Sequence, residues 1–164
     1  MITLVIGGTR SGKSVVAERL AARLPRPVTY FATAAAAGDP DMAARVAAHR
    51  ARRPPDWSTV EHGEDLVGQV RRTPGTVLLD ALGPWVAAAP GLRVDVAALC
   101  AALAQRHGDT VVVTEEVGLG VHAVSDAGRR FADALGELNQ AVAAAADEVI
   151  MVVAGRVLPL GQAG

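Results

Sequence analysis

The sequence is poor in aromatic residues, in cysteine and in lysine, and each shortage narrows what the chain can be. Phenylalanine, tryptophan and tyrosine make up 3% of the 164 residues, so a core must be built from valine, leucine and alanine. The single cysteine, Cys100, cannot form an internal disulfide, and nothing indicates an oxidising compartment. Cys100 recurs with Val96, Leu99 and Leu103 at helical spacing, which favours a small core residue over a reactive thiol.

Long apolar runs and an excess of one charge are also absent. No run approaches the roughly 20 apolar residues of a membrane-spanning helix, and the first, residues 2–6, is too short for a signal peptide. The 16 basic and 17 acidic residues give a net charge of -1, which argues against a general nucleic-acid binder. We therefore expect a cytoplasmic protein without a membrane span or a nucleic-acid partner. The length suits a single domain over residues 1–164.

Five short β-branched runs, separated by helical patterns, predict an α/β fold with a mostly parallel sheet. They are residues 2–6, 28–31, 76–79, 110–114 and 149–153. Their nearly continuous apolar character is typical of parallel strands that are buried on both faces. A tight turn at Ala154-Gly155 predicts a C-terminal hairpin, which would add an antiparallel strand at one edge.

Capping residues bound three of the predicted helices. Asp39-Pro40 supplies an N-cap and a first-turn proline for a helix that runs to about Arg52. Asp95 opens a helix that runs to about Arg106, and Ser125 opens a long amphipathic helix.

The strongest motif follows the first run and fits the pattern G-x-x-x-x-G-K-[ST]. It reads Gly7-Gly8-Thr9-Arg10-Ser11-Gly12-Lys13-Ser14. Its glycines let backbone N–H groups turn towards a phosphate, and the helix N-terminus adds partial positive charge. Lys13 is predicted to reach the β- and γ-phosphates, and the Ser14 hydroxyl to bind Mg²⁺. The alternative is a glycine-rich turn with a chance Lys-Ser pair.

Lys13 is the only lysine in the chain, whereas 15 residues are arginine. An ammonium group is a compact point charge and a guanidinium group is a planar fork, so a tight loop around phosphate admits the ammonium more readily. The competing explanation is that a general bias towards arginine left a single lysine by chance. That explanation does not account for the position of this lysine in the motif.

Acidic residues end two of the predicted strands. Asp80 follows an apolar run and suits the acidic metal partner of a P-loop; an ordinary strand-end turn is the alternative. Glu115 and Glu116 end the next run. Ligands of open α/β sheets gather at the carboxyl ends of the strands, so the P-loop, Thr33, Asp80 and both glutamates should meet there. Glu116 is a candidate for orienting a nucleophile or binding a second substrate, or else a solvated loop acid.

A second group of candidate functional residues consists of His49 and four nearby arginines. Arg45 lies one helical turn before the histidine, and Arg50, Arg52 and Arg53 follow it. Neighbouring positive charges favour the neutral imidazole, which can attack phosphorus, and arginines can stabilise charge on a reacting phosphate. The alternative is a solvated basic helix end that interacts favourably with the helix dipole.

These residues resemble the bifunctional adenosylcobinamide kinase / adenosylcobinamide-phosphate guanylyltransferase family of cobalamin assembly, over nearly the whole length. The P-loop alone is shared by very many proteins. The resemblance also rests on Tyr30-Phe31-Ala32-Thr33-Ala34, Thr59-x-Glu61 and Glu116-Val117-Gly118-Leu119-Gly120. Far more specific are two segments at their spacings: His49-Arg50-x-Arg52-Arg53-Pro54-x-x-Trp57, and Gly136-x-x-Asn139-Gln140 with Ala146-Asp147-Glu148-Val149.

The resemblance implies two reactions. A nucleoside triphosphate, ATP or GTP, phosphorylates the aminopropanol hydroxyl of adenosylcobinamide. His49 then attacks the α-phosphate of GTP, and the corrinoid phosphate takes the GMP to give adenosylcobinamide-GDP. The resemblance also implies a RecA-like P-loop fold, Mg²⁺ and a homotrimer. It further implies nucleotide contacts from residues beyond the P-loop: Ala32, Thr33, Ala34, Arg50, Arg52, Arg53, Glu61 and Asp80.

The chain departs from the family pattern at several positions outside the P-loop. Glu115 stands where the family usually has Asn, and Ala81-Leu82-Gly83-Pro84 where it usually has Cys-Leu-Thr-Leu. Ala132 replaces an arginine, and the usual proline is missing around Ala123. These departures bear on the corrinoid pocket and on subunit contacts. A small-molecule kinase without a covalent step and a non-enzymatic nucleotide switch are the rival functions.

Overall fold

The computed structural model describes residues 1–34, 50–61, 65–120 and 123–161. Within these ranges seven strands form one sheet in the order β3-β2-β4-β5-β1-β6-β7. The strands are β1 (Ile2–Gly7), β2 (Val28–Ala32), β3 (Ser58–Glu61), β4 (Thr76–Asp80), β5 (Thr110–Glu115), β6 (Glu148–Val153) and β7 (Arg156–Leu160). Every neighbouring pair is parallel except β6 and β7. The predicted mostly parallel sheet and its antiparallel edge are confirmed.

The turn between β6 and β7 has the backbone that a two-residue hairpin requires. Ala154 and Gly155 both have positive φ angles, 50° and 73°, and this pair of left-handed residues matches the right-handed twist of the flanking strands. The Gly155 N–H donates a hydrogen bond to the Ser11 carbonyl oxygen at 2.7 Å. The C-terminal hairpin therefore supports the loop that follows β1.

Helices cover both faces of the sheet. They are α1 (Lys13–Ala21), α2 (Leu66–Arg72), α3 (Leu82–Ala88), α4 (Val96–Gln105) and α5 (Asp126–Ala145), with a short 3-10 helix at Pro90–Leu92. The predicted caps of α4 and α5 are confirmed, because the Asp95 carboxylate accepts the Ala98 N–H and the Ser125 hydroxyl accepts the Gly128 N–H. The predicted start at Asp39-Pro40 lies outside the described residues, whereas residues 50–52 are helical.

Two apolar cores lie on opposite sides of the sheet, which gives three layers. On one side α2 to α5 pack against β1, β2, β4 and β5 through fully buried residues such as Leu79, Val112 and Leu135. On the other side α1 packs against residues that include Val111 and Val113. No helix in the described part of the chain is long and apolar enough to cross a membrane.

Cys100 lies on α4 and packs against the edge of the first core. The residue is half-buried, and burial raises the pKa of its thiol. The predicted role as a small packing residue agrees with this position, although Cys100 is less deeply buried than its neighbours Leu99 and Leu103.

Arg106 joins several loops at the amino-terminal side of the sheet. Its guanidinium group donates hydrogen bonds to four backbone carbonyls and one hydroxyl, those of Val70, Thr73, Gly75, Asp109 and Thr110. Arg106 is buried, and burial lowers its pKa. The sequence marks this residue only as the end of a helix, but in the fold it ties the end of α2 and the turn before β4 to the start of β5.

Candidate active site

The loop between β1 and α1 has the shape of a phosphate cradle. Gly12 has a φ angle of 93°, a left-handed conformation that favours glycine, and it forms the N-cap of α1. The Ser11 N–H donates to the Gly8 carbonyl oxygen at 3.2 Å, which closes the turn. The backbone N–H groups at the start of α1 and the helix dipole both favour an anion here.

Lys13 is the first residue of α1, and its side chain is mostly buried. The Nζ atom lies 3.4 Å from the Gly8 carbonyl oxygen and 3.5 Å from Glu115 Oε1. The ammonium group is thus held over the loop by a carbonyl of the loop itself and by a carboxylate from β5. This is the position from which a point charge can reach a phosphate in the cradle.

Asp80 ends β4, and its carboxylate is contacted from two sides. The Ser14 hydroxyl donates to Asp80 Oδ1 at 3.3 Å, and the Tyr30 hydroxyl donates to Oδ2 at 2.8 Å. A hydroxyl and a carboxylate are the hard oxygen donors that Mg²⁺ prefers, and Mg²⁺ is usually bound by one or two protein groups together with water and substrate phosphates. Ser14 and Asp80 therefore fit a magnesium site beside the cradle.

Tyr30 and Arg53 form the wall of the site next to Asp80. The guanidinium carbon of Arg53 lies 3.3 Å from the centroid of the Tyr30 ring, a cation–π contact, and Arg53 Nη1 donates to the Thr59 hydroxyl at 3.1 Å. Burial and the adjacent Asp80 carboxylate raise the pKa of Tyr30 far above its ordinary value, so the hydroxyl stays protonated and donates to Asp80.

Two further arginines fix the segment that follows His49. Arg52 makes a bidentate pair with Glu18 of α1, with Nε–Oε2 and Nη2–Oε1 distances of 3.2 Å each. Arg50 pairs with Glu61 at 3.1 Å, and both of these side chains are exposed. His49 and Arg45 themselves lie outside the described residues.

A cavity of about 510 Å³ lies at the carboxyl ends of β1, β2, β4 and β5. Eleven of the residues that the sequence nominates line it: Thr9, Arg10, Ser11, Gly12, Lys13, Ser14, Ala32, Ala34, Arg52, Arg53 and Asp80. Its other lining residues are Val15, Tyr30, Ala81, Pro84 and Glu115. The strand order, with β5 between β1 and β4, brings the start of α1 close to the end of β4, so that Ser14 and Asp80 contact each other in the cavity wall.

Other nominated residues lie beside the cavity rather than along its wall. The Thr33 hydroxyl accepts the Ala81 N–H at 2.7 Å and donates to the Ala81 carbonyl oxygen at 2.5 Å, so it clamps the backbone after Asp80. The Glu116 carboxylate accepts the N–H groups of Gly118 and Leu119, at 2.5 and 3.1 Å, and thereby shapes its own loop. Gly7, Gly8, Arg50 and Glu61 also do not line the cavity.

Glu115 lines the site, at the edge of the sheet where the sequence predicts both glutamates, and Tyr30 lines it as well. The sequence assigned neither residue a functional role. Side chains alternate along a strand, so Glu115 points to the same face of β5 as Val111 and Val113, which pack on the α1 side. Counting by two from these valines would have favoured Glu115 over Glu116 as the residue that faces the P-loop. By the same count, Asp80 points to the same face of β4 as the buried Leu78.

The parallel sheet, the glycine-rich cradle and the Ser14–Asp80 pair together define a P-loop protein of the α/β class. Residues 3–160 match the family described as cobinamide kinase / cobinamide phosphate guanyltransferase, and the chain belongs to that family.

Named relatives resemble this chain over almost their whole length. The bifunctional adenosylcobalamin biosynthesis protein CobP of Pseudomonas aeruginosa is 39% identical, over 98% of this chain and 97% of its own. The bifunctional adenosylcobalamin biosynthesis proteins CobU of Salmonella typhimurium and Escherichia coli are 38% and 36% identical, over 94% of this chain and 97% of theirs.

Among solved structures, the P4 protein from bacteriophage phi6 in complex with ADP aligns with 95% of this chain and 52% of its own. The identity is 17% and the TM-score is 0.45, so this likeness carries no statement about activity.

Proposed function

We propose that this chain carries out both reactions that the family name describes. In the first, a nucleoside triphosphate phosphorylates the aminopropanol hydroxyl of adenosylcobinamide. In the second, GMP passes from GTP to the corrinoid phosphate through a guanylylated His49 and gives adenosylcobinamide-GDP. The observation that carries the proposal is that one cavity is lined by the phosphate cradle, by Asp80 and by two arginines that lie within four residues of His49.

In the kinase reaction the cradle and Lys13 would hold the β- and γ-phosphates. Ser14 and Asp80 would hold Mg²⁺, which when bound neutralises charge on the phosphates and fixes their geometry. Positioning and electrostatic stabilisation supply most of the catalysis in phosphoryl transfer, so a rigid cradle is the main requirement. The hydrogen bond from Gly155 to Ser11 and the paired Asp80 carboxylate both supply such rigidity.

In the guanylyl transfer a neutral His49 nitrogen would attack the α-phosphorus of GTP. A nitrogen–phosphorus bond forms, the bond from the α-phosphorus to the bridging oxygen breaks, and pyrophosphate leaves with the electron pair. An oxygen of the corrinoid phosphate then attacks the same phosphorus and releases the histidine. Arg52 and Arg53 line the cavity and would stabilise the charge that develops on the phosphoryl oxygens.

The remaining assignments complete the proposal. Ala32, Thr33, Ala34, Arg50 and Glu61 are proposed near the nucleotide, and Glu116 as a further catalytic group. We also propose Mg²⁺ as the metal, residues 1–164 as a single domain, a homotrimer as the assembly and the cytoplasm as the location. These points rest on the family resemblance and the sequence.

The test is to incubate the protein with adenosylcobinamide, Mg²⁺ and ATP or GTP, and to separate the corrinoid products by chromatography with mass detection. The proposal predicts that adenosylcobinamide phosphate forms with whichever of ATP and GTP serves as the phosphoryl donor. It predicts that adenosylcobinamide-GDP forms when GTP is present. Formation of the phosphate without any GDP derivative would favour a plain kinase. Nucleotide binding without either product would favour a nucleotide switch.

A further inference from the structure

Glu115 presents a carboxylate in the wall of the cavity, where it is oriented from two sides. Its Oε1 atom lies 3.5 Å from Lys13 Nζ at the start of α1. Its Oε2 atom accepts the Gly83 N–H, from the first turn of α3, at 3.0 Å. These two contacts fix both oxygens, and the side chain is about one quarter exposed, on the cavity side.

Gly83 is the residue that allows this close approach. A Cβ atom added at Gly83 would overlap Glu115 Oε2, so a larger residue there would push the carboxylate away from its backbone partner. The absence of a side chain at Gly83 on α3 thus leaves the space that the Glu115 carboxylate at the end of β5 occupies.

A carboxylate in this place repels the triphosphate that the cradle would bind. Burial and the nearby Asp80 carboxylate raise the pKa of Glu115, whereas Lys13 and the Gly83 N–H act in the opposite direction. With Lys13 engaged by the phosphates, the Gly83 N–H would still hold Oε2, and Oε1 would be left without its cation in the cavity wall. Because the fold holds this carboxylate in place despite the repulsion, we expect it to have a role in the reaction.

We infer that Glu115 is the proton acceptor for the hydroxyl group that takes the γ-phosphate, an inference that rests on the proposed kinase reaction. As the hydroxyl oxygen bonds to the γ-phosphorus, the bond from that phosphorus to the β,γ-bridging oxygen breaks. The nucleoside diphosphate leaves with the electron pair. The hydroxyl proton moves to Glu115 Oε1 and from there to water. No proton transfer of this kind is needed when a neutral histidine attacks GTP, so the base should serve one reaction and not the other.

The competing role for Glu115 is to position Lys13 without taking part in proton transfer. A positioning role predicts that loss of the charge weakens nucleotide binding and raises KM. A proton acceptor predicts a lower kcat at unchanged or lower nucleotide KM, because removal of a negative charge beside the triphosphate does not weaken its binding. The two roles therefore differ in which kinetic constant changes.

The experiment measures kcat and nucleotide KM for phosphorylation of adenosylcobinamide in the steady state, and guanylylation of the protein by α-phosphate-labelled GTP in single turnover. Glu115→Gln should slow phosphorylation by about 100-fold or more without a rise in nucleotide KM, and should keep the GTP label. Glu148→Gln, an exposed acid at the opposite end of the sheet, is the matched control and should behave as wild type. Retention of the label shows that Glu115→Gln is folded.

A second pair of variants tests the geometry. Gly83→Ala should slow phosphorylation in the wild-type background, because it displaces the carboxylate, and should have little further effect in the Glu115→Gln background, where the proton acceptor is already lost. Phosphorylation by Glu115→Gln at the wild-type rate, a defect in KM alone, or a defect that follows Glu116→Gln instead would overturn the inference and leave the proposed function standing. A wild type without phosphorylation would overturn both.

Discussion

The Ser14 hydroxyl donates a hydrogen bond to Asp80 Oδ1 at 3.3 Å, across 66 positions of sequence. The contact joins the first turn of α1 to the end of β4, and it forms because β5 alone separates β1 from β4 in the sheet. Two hard oxygen ligands, one from α1 and one from the end of β4, thereby lie side by side next to the phosphate cradle. The proposed chemistry of the site depends on this pairing.

Asp80→Asn should weaken metal use, because an amide oxygen carries no charge to offset that of Mg²⁺. The Mg²⁺ concentration that gives half-maximal phosphorylation should rise by about tenfold or more. Titration of activity against Mg²⁺ measures this constant directly. Asp133→Asn, which changes an exposed acid on α5, serves as the control. An unchanged Mg²⁺ requirement in Asp80→Asn would remove Asp80 from the metal site.

Lys13→Ala should abolish kinase turnover, with a fall in kcat of roughly 100-fold or more, because the charge over the cradle is lost. Lys13→Arg should also be impaired, since a planar guanidinium does not fit the same loop as an ammonium point charge. Steady-state kinetics of the two variants, with Arg19→Ala at the exposed end of α1 as the control, checks both expectations. Full activity in either Lys13 variant would contradict the account of the cradle.

The contribution of Tyr30 to the stability of the metal-free protein should be lost at alkaline pH. The folded pKa of Tyr30 is raised above the unfolded value, so the stability that the residue contributes is complete below the unfolded pKa of about 10. Above that pH only the unfolded chain releases the proton, and the free energy of unfolding should fall by about 1.4 kcal/mol per pH unit from this residue.

Urea unfolding in the presence of a chelator, between about pH 8 and pH 11, measures the slope. Tyr30→Phe should show a shallower slope, while contributions from Cys100 and other groups cancel in the comparison. Because the chain has one tyrosine, tyrosinate absorbance also reports on Tyr30 alone and should appear only with unfolding. Equal slopes for the two proteins would mean that Tyr30 titrates freely in the fold.

Arg106→Ala should lower the free energy of unfolding by about 3 kcal/mol, because it leaves one buried and three part-buried carbonyls without their donor. The activity per folded molecule should not change, since Arg106 lies away from the cavity. Arg129→Ala on the exposed surface of α5 should lower stability by less than about 1 kcal/mol. Chemical denaturation compares the two, and similar small losses would contradict the structural role of Arg106.

Features that depend on local sequence could be predicted well. The five apolar runs became β1, β2, β4, β5 and β6 because buried parallel strands need continuous apolar side chains. The caps at Asp95 and Ser125, the Ala154-Gly155 turn and the cradle were also visible, since each depends on residue types within a few positions.

Features that depend on distant partners were missed. β3 is short and mostly exposed, and it pairs only with β2 at the sheet edge, so its sequence lacks an apolar run. The helices α2 and α3 have seven residues each, too few for a clear period. Arg106 and Glu115 acquire their roles only when separate loops or helices meet them, as Gly83 meets Glu115.

The central claim is that His49 becomes covalently guanylylated, and labelling with GTP that carries the label at its α-phosphate tests it most directly. The account predicts an acid-labile, base-stable label on the wild type, mapped by peptide mass to His49. It predicts the same label on His107→Ala, which changes an exposed histidine, and none on His49→Ala. An unlabelled wild type, or equal labelling of His49→Ala, would contradict the account.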